Sequence, residues 1–196
     1  MRAPSFWDKK GTLAFALYPF SILYTICYKL RCLCSSEYKA RTSVICVGNV
    51  NLGGSGKTPI SIKIGKILKD NNIKFAYLTR GYKGSIEELT KVDKKAHTVF
   101  DVGDEALILA EIADTFVAKD KKLALEIIDQ KYDYDYVIVD DGLQNPTFSK
   151  KKSILIFDGE YGLGNNFIFP AGPLREKLDY AIKRVNFAVI IGQDKM

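Results

Sequence analysis

The stretch Asn51-Leu52-Gly53-Gly54-Ser55-Gly56-Lys57-Thr58 constrains the fold more than any other part of the chain. It follows an apolar run at residues 44–50 that reads as a buried parallel strand. It precedes residues 59–68, where apolar side chains recur at helical spacing. Strand, glycine-rich loop, Lys-Thr and helix, in that order, form the setting of a phosphate-binding P-loop. Glycines let backbone N–H groups converge on phosphate oxygens where side chains would collide. The helix N-terminus adds its partial positive charge. The pattern brings Lys57 within reach of the β- and γ-phosphates of a nucleotide and offers the Thr58 hydroxyl to Mg²⁺. Pro59 fits the first helical turn, where its missing N–H matters little. Asn51 stands where the general pattern has glycine, and asparagine tolerates a left-handed backbone better than most residues.

A second signal lies at Tyr136-Val137-Ile138-Val139-Asp140-Asp141-Gly142. A buried strand that ends in aspartate sets a carboxylate beside the phosphate loop, where it holds Mg²⁺ directly or through water. Neighbouring strand residues face opposite ways, so Asp140 and Asp141 are unequal candidates for that metal. Arg80 follows a predicted strand at 73–79, and ligands gather at the carboxyl ends of parallel strands. An exposed loop arginine fits the same residues. Asp104 and Glu105 open a helical pattern over 106–110; capping explains them, and so does a carboxylate presented to phosphate. Strands are expected at 115–118, 153–157 and 187–191, and a helix at 120–130. Residues 85–98 read as a polar excursion carrying the single histidine, His97, at the surface. Strands alternating with helices predict an α/β fold, a parallel sheet flanked by helices.

Residues 11–28 carry no charge and are bracketed by Lys9, Lys10, Lys29 and Arg31. Pro19, Tyr18, Tyr24, Tyr28 and the basic flanks favour a helix lying in the headgroup region of a membrane. A spanning helix, which needs about 20 residues, and a buried core helix are the alternatives. Residues 35–41 read as a linker. The expected division is a membrane-associating segment, 1–34, and a P-loop lobe, 35–196. The net charge of +6 suits an anionic partner. The chain has no long basic tract interleaved with aromatics, so nucleic acid is not expected. Cys27, Cys32, Cys34 and Cys46 form no disulfide framework and read as reduced thiols.

Six motifs occur in order: Gly48-Asn49, Gly53-Gly54-Ser55-Gly56-Lys57-Thr58-Pro59, Arg80-Gly81-Tyr82, Gly103-Asp104-Glu105, Asp140-Asp141-Gly142-Leu143-Gln144 and Pro170-Ala171-Gly172-Pro173-Leu174-Arg175-Glu176. The set resembles the tetraacyldisaccharide 4′-kinase (lipid A 4′-kinase) family, from the N-terminal apolar segment to near Met196. That resemblance implies a P-loop kinase using ATP and Mg²⁺. Its substrate would be the 4′-hydroxyl of a tetraacylated glucosamine disaccharide 1-phosphate, and its place the cytoplasmic face of the bacterial inner membrane, held by the N-terminal segment. It implies that Asp104 is the catalytic aspartate, acting with Lys57, and that Arg80, Arg175 and Glu176 lie near the substrate. It also accommodates Asn51. Two departures stand out. Asn145 occupies a position where the family usually has histidine. Family members also continue into a second α/β lobe that supplies one wall of the cleft and a histidine partnering the catalytic aspartate. Residues 1–196 would lack that lobe. Two other readings fit the P-loop alone: a kinase or ATPase of another substrate, and a non-catalytic membrane-attached nucleotide-binding fragment.

Overall fold

Strands and helices alternate along most of the chain. The computed structural model describes residues 4–53 and 56–192, so Gly54 and Ser55 of the expected phosphate loop lie outside the described residues. After a 3₁₀ turn at Ser5–Trp7 come α1 (Thr12–Cys34), β1 (Ser43–Asn49), α2 (Lys57–Asp70), β2 (Phe75–Thr79), β3 (Thr90–Lys91), α3 (Val99–Val102) and α4 (Asp104–Ala110). There follow β4 (Thr115–Val117), α5 (Lys121–Lys131), β5 (Tyr136–Asp140), β6 (Lys152–Asp158), α6 (Leu178–Ile182) and β7 (Phe187–Ile191). Among the described strand pairs only β3 against β4 is antiparallel. The class is the expected α/β, a mostly parallel sheet flanked by helices. The chain forms two compact units that are not contiguous in sequence. One comprises Met1–Ser35, Gly48–Gly56 and Ser153–Met196, the other Ser36–Val47 and Lys57–Lys152.

In the second unit the strand order is β3-β4-β2-β5-β1. Residues 75–79 are all buried, as are the last four of β5, which fits strands covered by helices on both faces. Ala76, Leu78, Phe116, Leu125, Ile128, Val137 and Val139 form the main core cluster, with α5 supplying its apolar stripe. The register sets Val47 opposite Asp140 and Leu78 opposite Val139, so these strands end level with one another. The expected linker is partly tied down. The buried Asp129 carboxylate accepts from Arg41 N (2.7 Å), Thr42 N (3.1 Å), Thr42 Oγ1 (2.5 Å) and Tyr38 OH (2.8 Å). The polar excursion holds the short edge strand β3 and, with α3, a capping box between Thr98 and Asp101 that the hydropathy pattern does not signal.

In the first unit β6 and β7 pair in parallel, Ile154 opposite Phe187. Helix α1 runs on past Lys29 and Arg31 and contains Pro19. It is not a free amphipathic helix. Ala14 and Ser21, two helical turns apart, are buried, while Phe15, Phe20, Leu23 and Leu33 are exposed. Ser21 Oγ donates to Ile168 O (2.6 Å) and accepts from Ala171 N (3.2 Å). Phe15 and Tyr18 pack on Phe167, and Tyr24 packs on Phe169. Trp7 Nε1 donates to Pro170 O at 3.1 Å, and Asn165 Nδ2 ties Phe6 O (3.2 Å) to Ala171 O (2.9 Å). By length and composition α1 is able to cross a membrane, and it is equally compatible with lying on one.

Candidate functional site

Phosphate-loop geometry begins with Asn51. Its side chain donates to Gly162 O at 2.7 Å, and Leu52 N donates to Pro173 O at 2.8 Å. Asn49 Nδ2 donates to Asn51 O (2.8 Å) and Gly53 O (3.4 Å), bracing the turn from inside. Asn51 is not among the described non-glycine residues with positive φ; those are Asn72, Lys83, Asp141 and Asn166. Asparagine here therefore serves as a hydrogen-bonding brace rather than as a left-handed residue. Gly53 and Gly56 carry the positive φ values, 130° and 72°.

Within the second unit Lys57 opens α2, and its Nζ stands 3.9 Å from Asp141 Oδ1. The alternation rule set Asp140 and Asp141 on opposite faces. The structure resolves this by ending β5 at Asp140 and turning Asp141 left-handed, φ 51°, with its N–H on Val47 O at 2.9 Å. Asp140 is 4% exposed, and its Oδ1 has no hydrogen-bond partner among the described residues. Burial pushes its pKa up to about 6; Lys57 and Lys121 pull the other way, and Glu105 and Asp141 add to the rise. A buried carboxylate oxygen without a donor is costly unless something else meets it.

Arg80 and Asp104 are both exposed, at the end of β2 and the start of α4. Their loops touch through two glycines. A Cβ on Gly103 (φ 82°) would lie 2.5 Å from Tyr82 O, and one on Gly81 (φ 68°) 3.0 Å from Val102 O. Only glycine permits this approach, which sets Arg80-Gly81-Tyr82 against Gly103-Asp104-Glu105. Asp104 Oδ1 accepts from Glu105 N at 2.9 Å; Gly103 is the N-cap of α4 and no side chain caps it, so the exposed Asp104 carboxylate is left open to solvent. Thus the second unit gathers Lys57, Asp140, Asp141, Glu105 and Lys121 around one strand end.

Lys121 was not singled out in the sequence. It is 5% exposed, and its ammonium donates to Asp140 O and to Asp141 O (2.8 Å). Burial lowers its pKa, and Asp141 opposes that effect. One signal was available: a lysine in the first turn of a helix opposes the macrodipole and needs a reason to be there. Asn145, the departure from the family pattern, accepts from Thr147 N (3.0 Å) and Thr147 Oγ1 (2.8 Å), closing a local turn.

Arg175 and Glu176 belong to the first unit. Arg175 N donates to Val50 O at 2.7 Å, and the buried Glu176 carboxylate pairs with Arg184. Both line a cavity of about 640 Å³ with Tyr18, Ile22, Ile26 and Phe167. The residue set fits Mg²⁺: a carboxylate or two and a hydroxyl, completed by phosphate oxygens and water. Among the described residues no group of three or more His, Cys, Asp or Glu side chains is placed to hold a metal ion by itself.

Residues 13–196 match the family described as LpxK, tetraacyldisaccharide-1-P 4′-kinase. The chain belongs to the tetraacyldisaccharide 4′-kinase family. It is 38% identical over 194 residues to the tetraacyldisaccharide 4′-kinase of Allorhizobium ampelinum, covering 98% of this chain and 56% of that one. To the enzyme of Paramagnetospirillum magneticum it is 37% identical over 195 residues, covering 100% of this chain and 60% of that one. A crystal structure of LpxK from Aquifex aeolicus in complex with ATP superposes with a TM-score of 0.78 at 27% identity, covering 91% of this chain and 59% of that one. The chain therefore spans somewhat under two thirds of the length of these kinase-family relatives.

Proposed function

We propose that this chain is the nucleotide-binding lobe of an ATP- and Mg²⁺-dependent kinase acting on the 4′-hydroxyl of tetraacyldisaccharide 1-phosphate. The observation that carries the reading is the buried Asp140 oxygen, without a hydrogen-bond partner among the described residues, beside Lys57 at the strand end next to the start of α2. Asn51, Leu52, Gly53, Gly54, Ser55, Gly56, Lys57 and Thr58 cradle the phosphates. Thr58, Asp140 and Asp141 are the protein's donors to the metal. Mg²⁺, when bound, neutralises charge on the β- and γ-phosphates. Lys57 holds the same oxygens, and Asp104 takes the proton from the attacking hydroxyl. Arg80, Arg175 and Glu176 are assigned to the substrate, with Glu176 held in place by Arg184.

The cavity against α1, with Lys10, Lys29 and Lys177 in its lining, suits an acylated, phosphorylated substrate. Residues 1–34 are assigned to a peripheral or monotopic membrane association on the cytoplasmic face of the inner membrane, and residues 35–196 to the P-loop lobe. The test is Lys57→Ala. A lost charged hydrogen bond weakens binding by about 1.5–3 kcal/mol, or roughly 10–100-fold. Isothermal titration of Mg-ATP reads this directly. Unchanged affinity together with unchanged 4′-phosphorylation would sink the assignment.

A further inference from the structure

Lys121 sits where a lysine is least favoured. It is the first residue of α5, whose N-cap Asp120 accepts from Lys122 N (2.9 Å) and Leu123 N (3.1 Å). A cation there opposes the helix dipole, and burial removes its water as well. The capping is complete without it. Both of its described hydrogen bonds go to main-chain carbonyls, those of Asp140 and Asp141. Between these two residues the chain leaves β5, and Asp141 takes up its left-handed conformation. A residue of that type stays left-handed only when its surroundings hold it. The charged groups acting on the ammonium are Asp141, Asp140 and Arg80, and the neutral Cys46 thiol lies beside it.

We propose that Lys121 is a positioning residue: by clamping the two carbonyls at the end of β5 it fixes the directions in which the Asp140 and Asp141 carboxylates point. This rests on the reading of those carboxylates as Mg²⁺ donors. Lys121 acts through the backbone, by its hydrogen bonds to Asp140 O and Asp141 O. The clamp explains how adjacent residues, which alternate in a strand, both come under the influence of Lys57.

The test titrates ATP into the 196-residue chain at increasing Mg²⁺, with a parallel series in EDTA, for the unsubstituted protein, Lys121→Met, Lys121→Gln and Lys121→Arg. Groups that orient metal ligands typically contribute about 10–100-fold to metal affinity, and a shift of that size in the Mg²⁺ midpoint is expected for Lys121→Met. The EDTA series should stay unchanged. Lys121→Arg, which keeps a buried cation and its donors, should recover most of the loss. An unchanged midpoint in Lys121→Met, or equal losses with and without Mg²⁺, would overturn the inference. Should the Met variant fail to fold, a folded Lys121→Gln with an unchanged midpoint overturns it equally. If the unsubstituted chain shows no Mg²⁺-dependent ATP binding, the nucleotide reading falls first and takes this inference with it. Mg²⁺-linked binding combined with indifferent variants removes the positioning role alone.

Discussion

Asp140 and Asp129 are both buried carboxylates, and their surroundings treat them in opposite ways. Asp140 lacks a donor on one oxygen among the described residues, and burial raises its pKa. Burial acts on Asp129 too, but donors from Thr42, Tyr38 and Arg41 outweigh it and hold the carboxyl below its usual range. The first arrangement suits the proposed metal donor; the second ties the approach to β1 onto α5. A carboxylate with a depressed folded pKa stabilises the fold above its unfolded pKa, and that contribution is lost as pH falls through the folded pKa. Asp129→Asn should therefore destabilise the protein by roughly 2–3 kcal/mol at pH 7. The gap between variant and parent should hold down to about pH 5 and close below about pH 4, near the ordinary aspartate pKa. Urea denaturation across that range checks it, and a pH-independent gap would refute the account. Asp140 was legible in the sequence as an aspartate ending a buried strand, whereas Asp129 was not, because its partners Tyr38, Arg41 and Thr42 lie tens of residues away.

Among the elements, those with a strong local signal were legible. The runs at 44–50, 136–140 and 187–191 became β1, β5 and β7, with bounds shifted by a residue at most. Asp120 caps α5 where a helix was expected to start. Helix α1 was legible as apolar but not as to what its faces do. Ser21, polar amid an apolar run, is the residue that docks it on the 168–171 turn. The exposed stripe carries Phe20 at 58% and Leu23 at 57% exposure. If that stripe enters a bilayer surface, each large apolar side chain contributes about 1.5–3 kcal/mol and each nearby basic residue about 1 kcal/mol. Phe20→Glu with Leu23→Glu should then weaken binding to anionic vesicles by roughly 100-fold or more while leaving the melting temperature unchanged. Vesicle sedimentation and a thermal scan measure the two quantities. Full sedimentation of the double variant would mean that another surface anchors the protein.

At the scale of the whole molecule, residues distant in sequence pack together: Met1–Ser35 forms one compact unit with Gly48–Gly56 and Ser153–Met196. No local pattern reports such long-range packing. The relatives raise a different question, because the chain corresponds to 56% and 60% of the lengths of two of them. In the resembled family the further lobe supplies a histidine that assists the catalytic aspartate. Phosphoryl transfer depends on positioning and charge stabilisation, with a carboxylate to take the hydroxyl proton. A positioned base contributes about 10²–10⁴-fold, and substrate orientation contributes more. Residues 1–196 alone should therefore bind Mg-ATP through Lys57, Asp140 and Asp141 yet transfer phosphate slowly. Fusing the remaining C-terminal part of a full-length relative should raise turnover by at least about 10²-fold, and Asp104→Ala in the fusion should abolish that gain. The measurement is 4′-phosphorylation of the acylated disaccharide by the chain, the fusion and its Asp104→Ala variant. Robust turnover by residues 1–196 alone, indifferent to Asp104→Ala, would show that neither the assigned base nor a second lobe is needed.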